Sequence, residues 1–142
     1  MSNETSREEL IRQLNDALGW EIRAQIQYAH YAAYVRGIYR LHLKPFFETE
    51  ATESVGHATT VRDHIAQLGG TARTDRDPTD IVHTTDYNLM LAEALKTETT
   101  AAKTYRGILE LAGVDAELHD AIEQISFQEE RSVEELKQLM QT

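Results

Sequence analysis

Cysteine is absent from the 142 residues, which removes disulfide staples, thiolate metal ligands and cysteine nucleophiles together and is what a reducing cytoplasm permits. Proline occurs only twice, as Pro45 and Pro78, so long helices can run with little interruption. No stretch approaches the roughly 18 consecutive apolar residues of a membrane span. The segment Met1 to Glu9 is polar and acidic and lacks the apolar core of a secretion signal, so the expected location is the cytoplasm. Basic residues are outnumbered, 14 Lys and Arg against 24 Asp and Glu, for a formal net charge of −10. Such a charge repels duplex nucleic acid and anionic membranes and favours cations as partners. There is no glycine-rich phosphate loop, no low-complexity segment and no convincing internal repeat.

What the chain does have is heptad patterning. Ile11, Leu14, Leu18, Glu21, Gln25, Tyr28, Ala32 and Val35 recur at alternating steps of 3 and 4, the spacing of a helix that faces other helices in a bundle. Three further stripes follow: Phe47, Glu50, Ser54, His57, Val61, His64, Leu68; Leu91, Leu95, Glu98, Ala102, Tyr105, Leu109; and Leu118, Ile122, Ile125, Glu129, Ser132, Leu136, Leu139. Each is apolar at both ends and polar in the middle. A chain of this length can bury roughly 70% of the surface its unfolded form exposes, so a single all-α domain over residues 1–142, a four-helix bundle, is expected without any staple.

An ionised carboxylate set among leucines costs several kcal/mol unless a proton, a cation or a metal balances it. If the four stripes share one core, Glu21, His57, Glu98 and Glu129 fall at similar depth and converge on an oxygen-rich metal site with one imidazole. The bland alternative is that seam glutamates merely fix helix register. Glu50 and Glu53, about two turns and one turn before His57, are both placed to lean into such a site, with Glu53 the better candidate for a solvated position. His64 reads as core or as a neighbour of the ligands, and Tyr28 and Tyr105 as core aromatics, with the alternative that a tyrosine beside a metal site donates an electron or a hydrogen bond. His30, His42, His83 and His119 lie off the stripes and read as surface residues, as do Glu130, Glu134 and Glu135 beside the inward Glu129.

Ser6-Arg7-Glu8-Glu9 has the form of a capping box, which starts the first helix near Ser6 and lets it run to about Arg36 before Gly37. Pro45 suits the first turn of a second helix over 44–68, and Gly69-Gly70 its end. Between Gly70 and Thr85 the periodicity vanishes; an extended segment of that length reaches roughly 50 Å, enough to make the second and third helices parallel. The third helix is expected over 86–112, stopped by Gly113, and the fourth after an N-cap at Asp115. Exposed Tyr31, Tyr34 and Tyr39 around the first hairpin favour a small homo-oligomer, a dimer before a cage.

Leu14-Asn15-Asp16-Ala17-Leu18-Gly19-Trp20-Glu21 with Ala24 and Gln27-Tyr28, His57-Ala58 with Leu68-Gly69-Gly70, Glu98 with Ala102-Lys103, and Gln128-Glu129-Glu130 with Leu136 together resemble the ferritin-like superfamily, bacterioferritins most of all. The resemblance covers nearly the whole chain and implies a bundle with one long crossover between its second and third helices. It also implies iron, with manganese or another divalent cation as the alternative, held by Glu21, His57, Glu98 and Glu129, with Tyr28 assisting any oxidation of Fe²⁺. The family's dinuclear site takes one glutamate from each of two helices and a Glu-x-x-His pair from each of the other two. Here Ser54 stands where the second-helix glutamate is expected and Ser132 where the fourth-helix histidine is expected. One metal per chain with weak or absent ferroxidase activity is therefore expected. The other outcome is a non-catalytic binding or assembly module that has lost its site. Val55 occupies the place of the axial methionine, so haem is not expected, and the absence of a fifth helix before Thr142 argues against a 24-subunit cage.

Overall fold

The computed structural model describes residues 3–111 and 115–140, with side chains from Ser6 onward. Four helices make up the fold: α1 (Asn3–Tyr34), α2 (Arg40–Gln67), α3 (Tyr87–Leu109) and α4 (Ala116–Met140), and there is no strand among the described residues. The all-α bundle expected from the heptads is therefore present. No described helix is long and apolar enough to cross a membrane.

Helix boundaries depart from expectation where local chemistry overrides the cap signal. Ser6 lies inside α1, which begins at Asn3. Glu9 does not turn back to cap it; its carboxylate is taken by the Arg12 guanidinium and by Gln13, 3.0 Å away. Likewise α2 starts a full turn before Pro45. Gly37 adopts φ +95°, its carbonyl accepts from Arg40 N–H at 3.1 Å, and the Arg40 side chain donates to the carbonyls of Val35 (2.8 Å) and Ala33 (3.2 Å). One residue thus starts α2 while satisfying the free carbonyls at the end of α1. The ends of α2 and α3 follow the sequence more closely: Gly69 at φ +80° closes α2, and Asp86 caps α3 by accepting from Asn88 N–H at 3.0 Å. Asp115 accepts from Leu118 N–H at 2.8 Å to start α4. The stop expected at Gly113 lies outside the described residues.

The segment between α2 and α3 contains no helix and is laid along α1 in register. Asn15 bonds the backbone of Thr71 and Arg73, Gly19 accepts from Asp77 N–H at 3.0 Å, Arg23 donates to the carbonyls of Thr79 (2.9 Å) and Asp80 (2.6 Å), and Tyr31 donates to Val82 at 2.8 Å. Successive contacts march from the N-terminal to the C-terminal end of α1, so α3 starts where α2 starts and runs parallel to it. The long crossover is confirmed. It also overturns one surface assignment: Tyr31 is fully buried because the crossover covers it, whereas Tyr34 and Tyr39 remain exposed.

The core falls into two apolar layers. One contains Leu10, Leu14, Leu18, Val61, Ile65, Tyr105, Ile108, Leu118 and Ile122; the other contains Tyr28, Tyr31, Val35, Leu43, Phe47, Met90, Leu91 and Leu136. The seams differ in detail from the stripes, with Ile65 buried in place of His64 or Leu68, and Leu139 exposed. A polar group that the heptads did not reveal ties the crossover to the bundle: buried Arg23 also donates to Thr97 Oγ1 (2.8 Å) and Gln27 Oε1 (3.2 Å) and lies 5.0 Å from the Trp20 ring. Replacing Arg23 by Leu leaves buried acceptors without a donor, at a cost of about 1–3 kcal/mol. The Arg23→Leu protein is expected to unfold at lower denaturant and to be cut faster by protease between residues 71 and 85. Unchanged proteolysis in that segment would show that the guanidinium does not hold the crossover.

Candidate metal centre

Between the two apolar layers lies a polar one. Each helix contributes from the middle of its stripe: Glu21 and Tyr28 from α1, Glu50, Ser54 and His57 from α2, Glu98 and Tyr105 from α3, Glu129 and Ser132 from α4, all buried. His57 is the hub. Its Nδ1 lies 2.9 Å from Glu129 Oε1 and 3.5 Å from Glu21 Oε1. One donor atom from each of Glu21, His57 and Glu129 lies within 4.8 Å of the others, the span of a shared metal ion. On its far side, His57 Nε2 donates to the amide oxygen of Gln128.

Two tyrosines flank the hub in a reciprocal arrangement. Tyr105 of α3 donates to Glu21 of α1 at 3.0 Å, and Tyr28 of α1 donates to Glu98 of α3 at 2.8 Å. Each tyrosine stands seven residues after the glutamate of its own helix, two turns along the same face, so the pair of helices exchanges partners. Glu98 lies outside the tight triad, with its carboxyl against that of Glu129. Glu50 is only 8% exposed and accepts from Ser132 Oγ at 3.2 Å. Glu53 is half-buried in an outer groove that it lines with Glu50, Gln128, Arg131, Ser132 and Glu135. Of the residues expected at the site, Glu21, His57 and Glu129 come together, Glu98 and Glu50 adjoin them, and Glu53 stays at the rim.

Electrostatics register the crowding. Burial, then the charge of Glu98, pushes the Glu50 carboxyl up to about 8. Burial followed by Glu21 raises Glu129, and burial followed by Glu129 raises Glu98 well above the usual carboxylate range. Burial alone would lower His57, but its bonds to the carboxylates of Glu129 and Glu21 outweigh that and hold the ring as a cation beyond its usual range. The phenols of Tyr28 and Tyr105 are raised further by burial and by their glutamate partners, so both stay protonated donors. Even so, Glu21 Oε2 and Glu129 Oε2 are buried without a hydrogen-bond partner.

The match of this chain to the family model of the ferritin-like domain extends over residues 11–142: the chain belongs to the ferritin-like family. Among solved structures it is similar to a ferritin-like, diiron-carboxylate protein from Bacillus anthracis str. Ames, at 37% identity over 99% of this chain and 100% of that one, with a TM-score of 0.91. It is also similar to the bacterioferritin-related protein of Bacteroides fragilis, described as a dodecameric thioferritin, at 27% identity over 96% and 92% of the two chains and a TM-score of 0.86. No curated protein matches it.

Sequence reasoning had Tyr105 on the inner stripe as a core aromatic able to donate beside a metal site but did not pair it with Glu21, and it missed Gln128. The equal Glu-to-Tyr spacing on α1 and α3 was the available signal for the first; nothing in the stripes marks Gln128, which sits beside the α4 seam. The raised carboxyls carry a pH consequence. Glu50 has a folded value above its unfolded one, so the folded metal-free protein binds more protons than the unfolded chain between about pH 4.5 and 8, and stability falls as pH rises through that window. Raised Glu98, Glu129 and His57 act with the same sign. The thermal midpoint of chelator-stripped protein is expected to drop from pH 5 to pH 8, and Glu50→Gln to lessen the drop while matching wild type near pH 5. A midpoint that rises with pH would refute this electrostatic account.

Proposed function

We propose that the protein handles iron, or another hard divalent cation such as Mn²⁺, by holding one metal ion per chain between Glu21, His57 and Glu129. The observation that carries this reading is the pair of buried, partnerless oxygens, Glu21 Oε2 and Glu129 Oε2, on two residues whose other oxygens already face the same imidazole nitrogen. A buried carboxylate oxygen without a donor is costly, and a cation among these atoms satisfies both. Two carboxylates with one imidazole suit iron or manganese better than copper. Bound iron would supply a one-electron couple at the centre of the bundle.

The protein's own groups set the limits of that chemistry. Tyr105 fixes Glu21, and Tyr28 donates its own phenolic hydrogen to Glu98, a place from which it would assist oxidation. On the α3 side, Ser132 brings a hydroxyl where the family pattern has an imidazole, and that hydroxyl is committed to Glu50. Ser54 brings no carboxylate. A second cation close to the first therefore meets Glu98 and a share of Glu129 without a nitrogen ligand, and ferroxidase activity is expected to be weak or absent. Glu50 partly makes good the missing α2 carboxylate, one turn from the lost position. For assembly, a dimer in preference to a cage is proposed from the exposed Tyr34, Ile38, Tyr39 and Leu41 at the α1–α2 turn.

Anaerobic titration of Fe²⁺ into the stripped protein is expected to saturate at one equivalent per chain. In the Ser54→Glu/Ser132→His double variant it should saturate at two. Two tight sites in the wild type would overturn the stoichiometry, and no binding at all would favour a structural module that has lost its metal.

A further inference from the structure

Gln128 belongs to no seam, yet its amide oxygen is the acceptor on the side of His57 that faces away from the carboxylates. Both nitrogens of the ring are therefore engaged by acceptors: Nδ1 by the oxygens of Glu129 and Glu21, Nε2 by Gln128. An imidazole that ligates a metal can lend a lone pair from only one nitrogen, and the hydrogen bond at the other nitrogen selects which one. An amide oxygen cannot donate, so it requires the hydrogen on Nε2. That leaves Nδ1, the nitrogen already aimed between Glu21 and Glu129, as the ligating atom.

We infer that Gln128 is the positioning residue of the metal centre: it keeps His57 in the Nε2–H form, with its ring plane fixed and Nδ1 turned into the carboxylate triad. This rests on the proposal that Glu21, His57 and Glu129 hold a metal. Three features favour a glutamine here. As the residue preceding Glu129 on α4, it shares a rigid helix with a ligand. Half-buried in the groove wall with Glu50, Glu53, Arg131 and Ser132, it gives the ring's outer nitrogen a protein acceptor, so that nitrogen need not bond to water. Its amide is neutral and orders the imidazole without adding a further negative charge to a layer that already buries Glu21, Glu50, Glu98 and Glu129.

The test uses Zn²⁺ as a diamagnetic probe and the variants Gln128→Leu, similar in bulk without an acceptor, and Gln128→Glu, which restores an acceptor oxygen. In the Zn²⁺-loaded wild type, long-range ¹H–¹⁵N spectra should show His57 with a proton on Nε2 and none on Nδ1. Calorimetry should give Zn²⁺ binding to Gln128→Leu weaker by about 10–100-fold, the usual effect of losing such a partner. Gln128→Glu should recover most of it. Circular dichroism of the stripped variants should match wild type, which a merely structural role for Gln128 would not predict alongside weakened binding. Zinc on Nε2, or Gln128→Leu binding within about twofold of wild type, would overturn the inference while leaving the metal site standing. Absence of Zn²⁺ and Fe²⁺ binding in the wild type would instead remove the metal reading; the Nε2–H bond to Gln128 would then be checked in the metal-free spectrum alone, and its absence there would overturn the positioning role as well.

Discussion

Four carboxyl groups enclosed in the middle of one helical bundle are the constraint on which the rest of this structure turns. Like charges at such spacing cannot all ionise in a medium of low dielectric, so the layer survives only because neighbouring groups share the burden. His57 supplies a cationic group within it, Tyr28 and Tyr105 each donate to a glutamate, and Ser132 donates to Glu50. The apolar layers on either side do the folding. Leu10, Leu14 and Ile65 at one end and Phe47, Met90 and Leu136 at the other bury enough surface for the polar layer to be carried as a local loss. The sequence shows the same division, since every stripe is apolar at its ends and polar at its centre.

That division explains why the fold was legible and the full site was not. A 3/4 repeat reports which face of a helix looks inward, so the four helices, the depth of Glu21, His57, Glu98 and Glu129, and the need for a long crossover could be read directly. The repeat is blind to anything that buries a helix on a second side. Helix α1 is covered by the crossover as well as by the bundle, and for that reason Arg23, Gln27 and Tyr31 are buried although none lies on the inner stripe except near its edge. Cap signals failed for a different reason: Ser6 and Pro45 are compatible with helix starts, but competing local pairs won, Arg40 with the Gly37 turn and Arg12 and Gln13 with Glu9 three and four residues before them.

Glu50 and Glu53 show the limit at finer grain. Both precede His57 on α2 and both were placed to lean inward. Seven residues from His57, Glu50 stays on the inner face and meets Ser132 across the seam; Glu53, four residues away, is rotated about 40° from His57 and reaches only the groove. The difference between a ligand candidate and a rim residue is thus a fraction of a turn, smaller than the precision of a heptad assignment. The small side chains at 54 and 132 add to this: both are buried in the layer, and Ser132 meets the Glu50 carboxyl across the seam.

The hydrogen bonds of the layer also bear on how a cation would enter it. In the metal-free state the balance of charge is kept by protons: on Glu50, whose carboxyl is pushed to about 8, on Glu98, and on the His57 cation. A divalent ion held among Glu21, His57 and Glu129 would take over that role, and the protons it displaced would have to leave. Glu50 lines a groove with Glu53 and Glu135 that opens to solvent, a route for its proton, while the fully buried Tyr28 and Tyr105 hold theirs against Glu98 and Glu21. A metal held there would thus compete with the His57 Nδ1 proton directly and with the protons of Glu50 and Glu98 through their shared charge, and the buried carboxylates that weaken the empty bundle are the groups that would favour the ion.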